Sequence, residues 1–163
     1  MNLFRRVPAT VLTSVAALAV SGGVLAISDG SEVLRVVAIV IMLVAAAEDL
    51  RTRRLRNALV APALVFALAA DPALSTVAAG AICVAPFLAM AFWKPGSMGM
   101  GDVKFAAPAG ALVGLQLLGT LLVAIALLGG VLALVAYARH GRSATLAYGP
   151  AIAVAALYVG FVL

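Results

Sequence analysis

Gly99-Met100-Gly101-Asp102-Val103-Lys104 opens a stretch that runs through Gly114-Leu115-Gln116 to residue 138, and how that stretch folds decides the architecture. Residues 103–138 are 36 positions in which, after Lys104, Gln116 is the sole strongly polar side chain. A single straight helix of that length, at about 1.5 Å per residue, would be roughly 54 Å long. A bilayer's hydrocarbon core is only about 30 Å thick. The stretch must therefore fold back, and Gly114-Leu115-Gln116 is where the turn is expected. At its mouth stands Asp102, preceded by two glycines, where an ionisable group beside an apolar segment is costly and marks a candidate site. An aspartate there also suits the N-cap of a helix starting at Val103.

The membrane setting follows from composition. The 163 residues are 66% hydrophobic and 10% charged, with a mean hydropathy of +1.22; soluble domains average about 25% charge. Repeated apolar runs of spanning length point to an all-α transmembrane bundle. A membrane β-barrel would alternate apolar and polar residues, and these runs do not. The net charge of +5 comes without a basic stripe interleaved with aromatics, so no nucleic-acid partner is expected. Cys83, the sole cysteine, lies in an apolar run, which leaves no intrachain disulfide and no CxxC zinc site. It reads as a small buried hydrophobe.

Outward from the central stretch, apolar runs lie at about residues 7–27, 33–47, 59–70, 74–92 and 146–163. The first follows Arg5 and Arg6 and resembles a signal peptide in outline, but its apolar part is longer than the 7 to 15 residues usual there, which favours a retained helix. Asp29-Gly30-Ser31-Glu32 and Asp71-Pro72 read as turns, and Pro62 as a tilt or kink in a short helix. Counting the fold-back, about seven crossings result, or six if the first segment is removed. With the N-terminus inside, Arg5, Arg6, Arg51, Arg53, Arg54, Arg56, Lys94, Lys104, Arg139 and Arg142 share one side, ten of the eleven basic residues. The positive-inside rule makes that side cytoplasmic. Only Arg35 falls outside. Without the turn near Gln116, Arg139 and Arg142 would move outside as well.

Under this topology Asp49 ends an inward helix and Asp102 begins an outward one, at the same membrane edge. Two neighbouring carboxyl groups cannot both ionise easily and share a proton. One then serves as base towards water while the other polarises a carbonyl, a chemistry that needs neither a nucleophilic side chain nor a metal. Glu48 competes for the first position, but adjacent helical residues point about 100° apart, so only one faces Asp102 squarely. Gly99 and Gly101, lacking Cβ, permit close backbone approach and positive φ.

Here the motifs meet a family. Gly99-Met100-Gly101-Asp102-Val103-Lys104 resembles the GxGDxK motif of type IV prepilin peptidases, and Asp49-Leu50-Arg51-Thr52-Arg53-Arg54-Leu55-Arg56-Asn57 is similar to the loop carrying their first aspartate. Tyr148-Gly149-Pro150-Ala151-Ile152-Ala153 is similar to the family's final-helix motif. The resemblance runs from about residue 33 to 163, with the spacing of the short forms that serve Flp-type, tight-adherence pili. It implies one membrane domain over residues 1–163, with residues 1–30 an extra helix or signal-like segment and residues 33–163 a peptidase core. The implied activity is an aspartic endopeptidase of the inner (plasma) membrane that removes the basic leader of prepilins or pseudopilins at the cytoplasmic edge, without a cofactor.

The resemblance assigns catalysis to Asp49 and Asp102, and so selects Asp49 over Glu48, whose expected partners become Arg51, Arg53 or water. Gly99, Gly101 and Lys104 fall to substrate binding or loop geometry, although Lys104 also fits an interfacial anchor. Tyr148, Gly149 and Pro150 read as a structural motif, with Pro150 suiting a first helical turn and Gly149 a close packing contact. The chain departs from the family at Leu55-Arg56-Asn57, where Ile-Pro-Asn is common, and in lacking the zinc-binding cysteine loop of long members. Nothing in it assigns N-methylation, a particular pilin or an oligomeric state.

Two other classes fit parts of the pattern. An ion-coupled transporter or channel subunit would use the acids as a cation path, but such sites lie near the midplane between inverted repeats, and neither feature is visible. A structural membrane subunit would use the small residues for packing and leaves the two aspartates unexplained. Among enzymes, presenilin-type GxGD proteases commonly carry a Tyr-Asp pair, whereas Asp49 follows Glu48.

Overall fold

The computed structural model describes residues 30–94, 98–141 and 147–163, and the segment expected over residues 7–27 lies outside them. The described residues are all-α. Six helices follow in order: α1 (Gly30–Thr52), α2 (Asn57–Ala70), α3 (Leu74–Trp93), α4 (Met100–Val113), α5 (Leu118–His140) and α6 (Gly149–Phe161). The fold-back falls at the expected place. α4 ends at Val113, Gly114 turns the chain with φ at 75°, and α5 starts at Leu118. A residue with a Cβ would be strained in that left-handed conformation, which is why a glycine makes the turn.

Helix starts differ from expectation in two places. Asp29-Gly30-Ser31-Glu32 is not a turn throughout, because α1 already begins at Gly30 and Glu32 sits in its first turn, where a carboxylate meets the positive end of the helix dipole. Asp102 is not the N-cap either. Gly99 is the cap, and Asp102 is the third helical residue, still within the favourable first turn.

α4 is the central rod. It packs against α2, α3 and α6, while α1 packs against α2 and α6, and α5 against α6. Small residues make this closeness possible: Ala38, Ala45, Ala63, Ala67, Ala79, Ala106, Ala109 and Ala151 are all buried. The tightest approach joins α3 to α4, where a Cβ placed on Gly110 would lie 2.5 Å from the Cβ of Cys83 and 2.6 Å from the carbonyl oxygen of Ala79. Cys83 is itself buried and free. Small residues at helix contacts are what a bilayer demands, since lipid supplies no hydrophobic drive for association and close packing must do so.

The outer surfaces carry the complementary signal. Leu127, Leu134, Val131 and Val123 on α5, and Phe92 and Trp93 on α3, are all more than half exposed. A soluble monomer rarely leaves such contiguous apolar faces to water. Among the described residues two helices, Leu74–Trp93 and Leu118–Arg139, are long and apolar enough to cross a membrane. This replaces the count of about seven. α2, α4 and α6 have 14, 14 and 13 residues, about 20 Å of helix each, and α1 carries Glu32, Arg35, Glu48, Asp49 and Arg51.

At the end of the bundle away from Asp102, Arg35 donates from Nη2 to the Leu112 carbonyl at 3.1 Å and pairs with Glu32 at 3.6 Å. The one arginine that broke the charge asymmetry thus caps a free carbonyl in the last turn of α4. The buried hydroxyl of Thr76 donates to Asp71 Oδ2 at 2.7 Å and ties down the α2–α3 turn.

Candidate active site

Three helix ends meet around the acids: the C-terminal end of α1, the start of α4 and the start of α6. Asp49 lies in the last turn of α1 and is only 4% exposed. Its apolar surroundings would make a bare carboxylate costly, but the main-chain N–H of Gly149 donates to Asp49 Oδ2 at 3.2 Å. The fit is close, since a Cβ on Gly149 would sit 2.9 Å from that oxygen. Beyond Thr52 the chain turns through Arg53, whose φ of 53° is the one positive value at a non-glycine among the described residues. Its N–H reaches back to the Asp49 carbonyl at 2.8 Å, closing the helix in a left-handed cap.

Asp102 arrives on α4, half-buried, with Gly99 beneath it; a Cβ there would stand 3.2 Å from Asp102 Oδ2. The two aspartates bracket the apolar runs at residues 33–47 and 103–113 and lie just outside them. Burial raises the Asp49 carboxyl above its ordinary range, opposed by the Gly149 N–H and the Arg53 charge. Asp102 is pushed up to about 6, first by burial and then by the charge of Asp49, against a hydrogen bond with the Gly99 main chain. Burial thus disfavours the charge on both acids, and the Asp49 charge adds to the effect at Asp102.

A stability test follows from the sign of these shifts. A carboxyl raised in the folded state binds more protons than the unfolded chain between its ordinary value, 3.8 here, and the folded one. Stability is thus expected to fall as pH rises from about 4 through about 6. Thermal unfolding in detergent across that range should show the decline, and Asp102→Asn, which removes the Asp102 contribution while Asp49 stays raised by burial, should make it shallower.

Neighbours hold the two segments in register. Gly101 is helical, so positive φ is not its role. A Cβ on it would lie 3.0 Å from the Cβ of Leu55, so the glycine lets α4 close on the α1–α2 loop. Gly101→Ala is expected to lower turnover about tenfold with normal protein level, because a misplacement approaching 1 Å costs up to about 100-fold; initial-rate measurements check it. Lys104 Nζ turns to Asn57 Oδ1 at 3.5 Å, a second tie between α4 and the start of α2. Glu48 points away from the pair and meets Arg56 at 3.3 Å, rather than Arg51 or Arg53. The arginine that stands where the family favours proline is thus an ionic brace across the loop.

Tyr148 caps α6. Its ring meets Phe87 of α3 edge-on at 6.3 Å, and its hydroxyl occupies the space left by the missing side chain of Gly129 on α5. Pro150 follows in the first turn, as expected. The structure thus brings Asp49, Asp102, Gly99, Gly101, Tyr148 and Gly149 to one end of the bundle and turns Lys104 to its rim. Sequence reasoning took Gly149 for a packing contact and missed its hydrogen bond to Asp49, because a main-chain donor has no residue-type signature.

The model of the type IV leader peptidase family matches residues 36–134, which include both aspartates and stop short of Tyr148. No curated protein and no solved structure is significantly similar to the chain.

Proposed function

The chain belongs to the type IV leader peptidase family, and on that premise we propose that it is an aspartic endopeptidase that removes the leader of a prepilin or pseudopilin. The observation that carries the proposal is the meeting of Asp49 and Asp102, near enough that the charge of one raises the other. Asp49 accepts a proton from a water as that water's oxygen attacks the scissile carbonyl carbon, and protonated Asp102 donates its proton to the carbonyl oxygen. The resulting gem-diol collapses when a hydroxyl proton returns to Asp102 and the leaving nitrogen takes the proton held by Asp49. The C–N bond breaks, and both acids regain their starting forms.

In this proposal the protein crosses the inner membrane more than once and turns its acids to the cytoplasm, where a basic leader resides. The exposed apolar faces of α3 and α5 support lipid contact. Arg51, Arg53, Arg54 and Arg56 beside the site support the cytoplasmic side. Co-expression with candidate prepilins from the same genome, scored by leader removal on a gel, is the test. A shortened product that depends on both aspartates is expected; full-length prepilin with every candidate would count against the proposal.

A further inference from the structure

Asp49 is held by a helix that the family match does not reach. Residues 36–134 contain the two acids, yet the donor to Asp49 Oδ2 is the main-chain N–H of Gly149 at the start of α6. Resting on the peptidase reading above, we propose that this N–H is the positioning donor of the dyad: it fixes Oδ2 of Asp49 and keeps that carboxylate as the ionised, water-activating member.

The geometry gives three reasons. First, the bond is buried and joins residues 100 apart in the chain, so it ties the orientation of the carboxylate to α6, and a buried acceptor is costly to leave unpaired. Second, the carboxylate lies at the positive end of a 13-residue helix, where an anion is favoured. Third, the donor is anchored. Tyr148, its neighbour, is wedged between Phe87 of α3 and Gly129 of α5, so the amide cannot drift with α6 alone.

The charged and titratable groups around Asp49 agree with this division. Arg53 at the end of α1 favours its charge, whereas Asp102 on α4 gains no cation and is raised by Asp49. Tyr148 stands at the start of α6 and is affected by Asp102. Within residues 57–70, α2 contributes no titratable group. Glu48 is occupied with Arg56, and Lys104 with Asn57.

The direct test removes the donor. Glycolic acid incorporated at position 149 during cell-free synthesis of the full chain into liposomes replaces the amide N–H with an ester oxygen. With a cleaved prepilin, kcat/KM is expected to fall about 10- to 100-fold, and the acid limb of its pH profile should move to higher pH. A purely packing role would move neither. In parallel, the infrared carboxylate band of Asp49, identified by its loss in Asp49→Asn, should titrate at higher pH in the ester form; this readout stands even if no prepilin is cleaved.

Gly149→Ala supplies a second variant, since its Cβ would press on Oδ2 and should likewise reduce the rate. Gly160→Ala on the same helix, whose Cβ finds ordinary contact 3.6 Å from Val113 Cγ2, should keep the wild-type profile. An ester form with wild-type rate, limb and band overturns the proposal, as does a wild-type profile in Gly149→Ala. Asp49-dependent cleavage in the same experiment would leave the peptidase reading intact.

Discussion

Asp49→Asn and Asp102→Asn are each expected to abolish leader cleavage while the protein still folds. Removing a positioned acid or base costs about 100- to 10,000-fold, and in the proposed mechanism each residue is one half of a proton exchange that the other cannot complete alone. Folding should survive because asparagine keeps the shape and loses only a charge that burial disfavours. At Asp49 the Gly149 N–H keeps an oxygen acceptor, and at Asp102 a neutral side chain relieves the repulsion that raises it. Glu48→Gln should retain most activity, since Glu48 faces Arg56 on the exposed side of the loop. Cleavage assayed with equal amounts of purified protein checks all three. Normal cleavage by Asp49→Asn combined with loss in Glu48→Gln would mean that the first acid is Glu48.

Gly110→Ala is expected to damage the fold rather than the chemistry. The added methyl would lie 2.5 Å from Cys83 Cβ and 2.6 Å from the Ala79 carbonyl oxygen. Neither atom is the free end of a flexible side chain, so α3 and α4 must move apart. Overpacking of this kind costs about 1–3 kcal/mol, and α4 is the rod on which α2, α3 and α6 rest. The measurement is the yield of monodisperse protein and its unfolding temperature in detergent. Gly119→Ala, where the new Cβ meets nothing within 4 Å, should be neutral or slightly stabilising. Equal stability of the two variants would refute the close α3–α4 contact.

The contrast between these glycines shows what sequence conveys and what it does not. The fold-back at Gly114 was legible because a 36-residue apolar stretch exceeds any bilayer and offers one polar interruption. The neighbourhood of Asp49 and Asp102 was legible because alternating helices put both at one end. Which glycine takes positive φ was not, since Gly101 and Gly114 are alike as letters and only packing makes one helical and the other a turn. Side-chain partners were equally hidden. Glu48 had three arginines within six residues, yet it meets the fourth, Arg56, because the left-handed residue Arg53 swings the chain around. The length of each helix was the other gap: α2, α4 and α6 are too short to meet the span criterion that composition alone suggested for them.

The central claim is that Asp49 and Asp102 hydrolyse a peptide bond, and reconstitution tests it against the competing use of two acids as a cation path. Wild-type protein in liposomes, with Asp102→Asn as control, would be assayed for cleavage of a cognate prepilin and for proton or cation flux in the absence of peptide. Leader cleavage that disappears in Asp102→Asn, with no flux in either preparation, is the predicted result. Flux that depends on Asp102, with no prepilin cleaved, would contradict it.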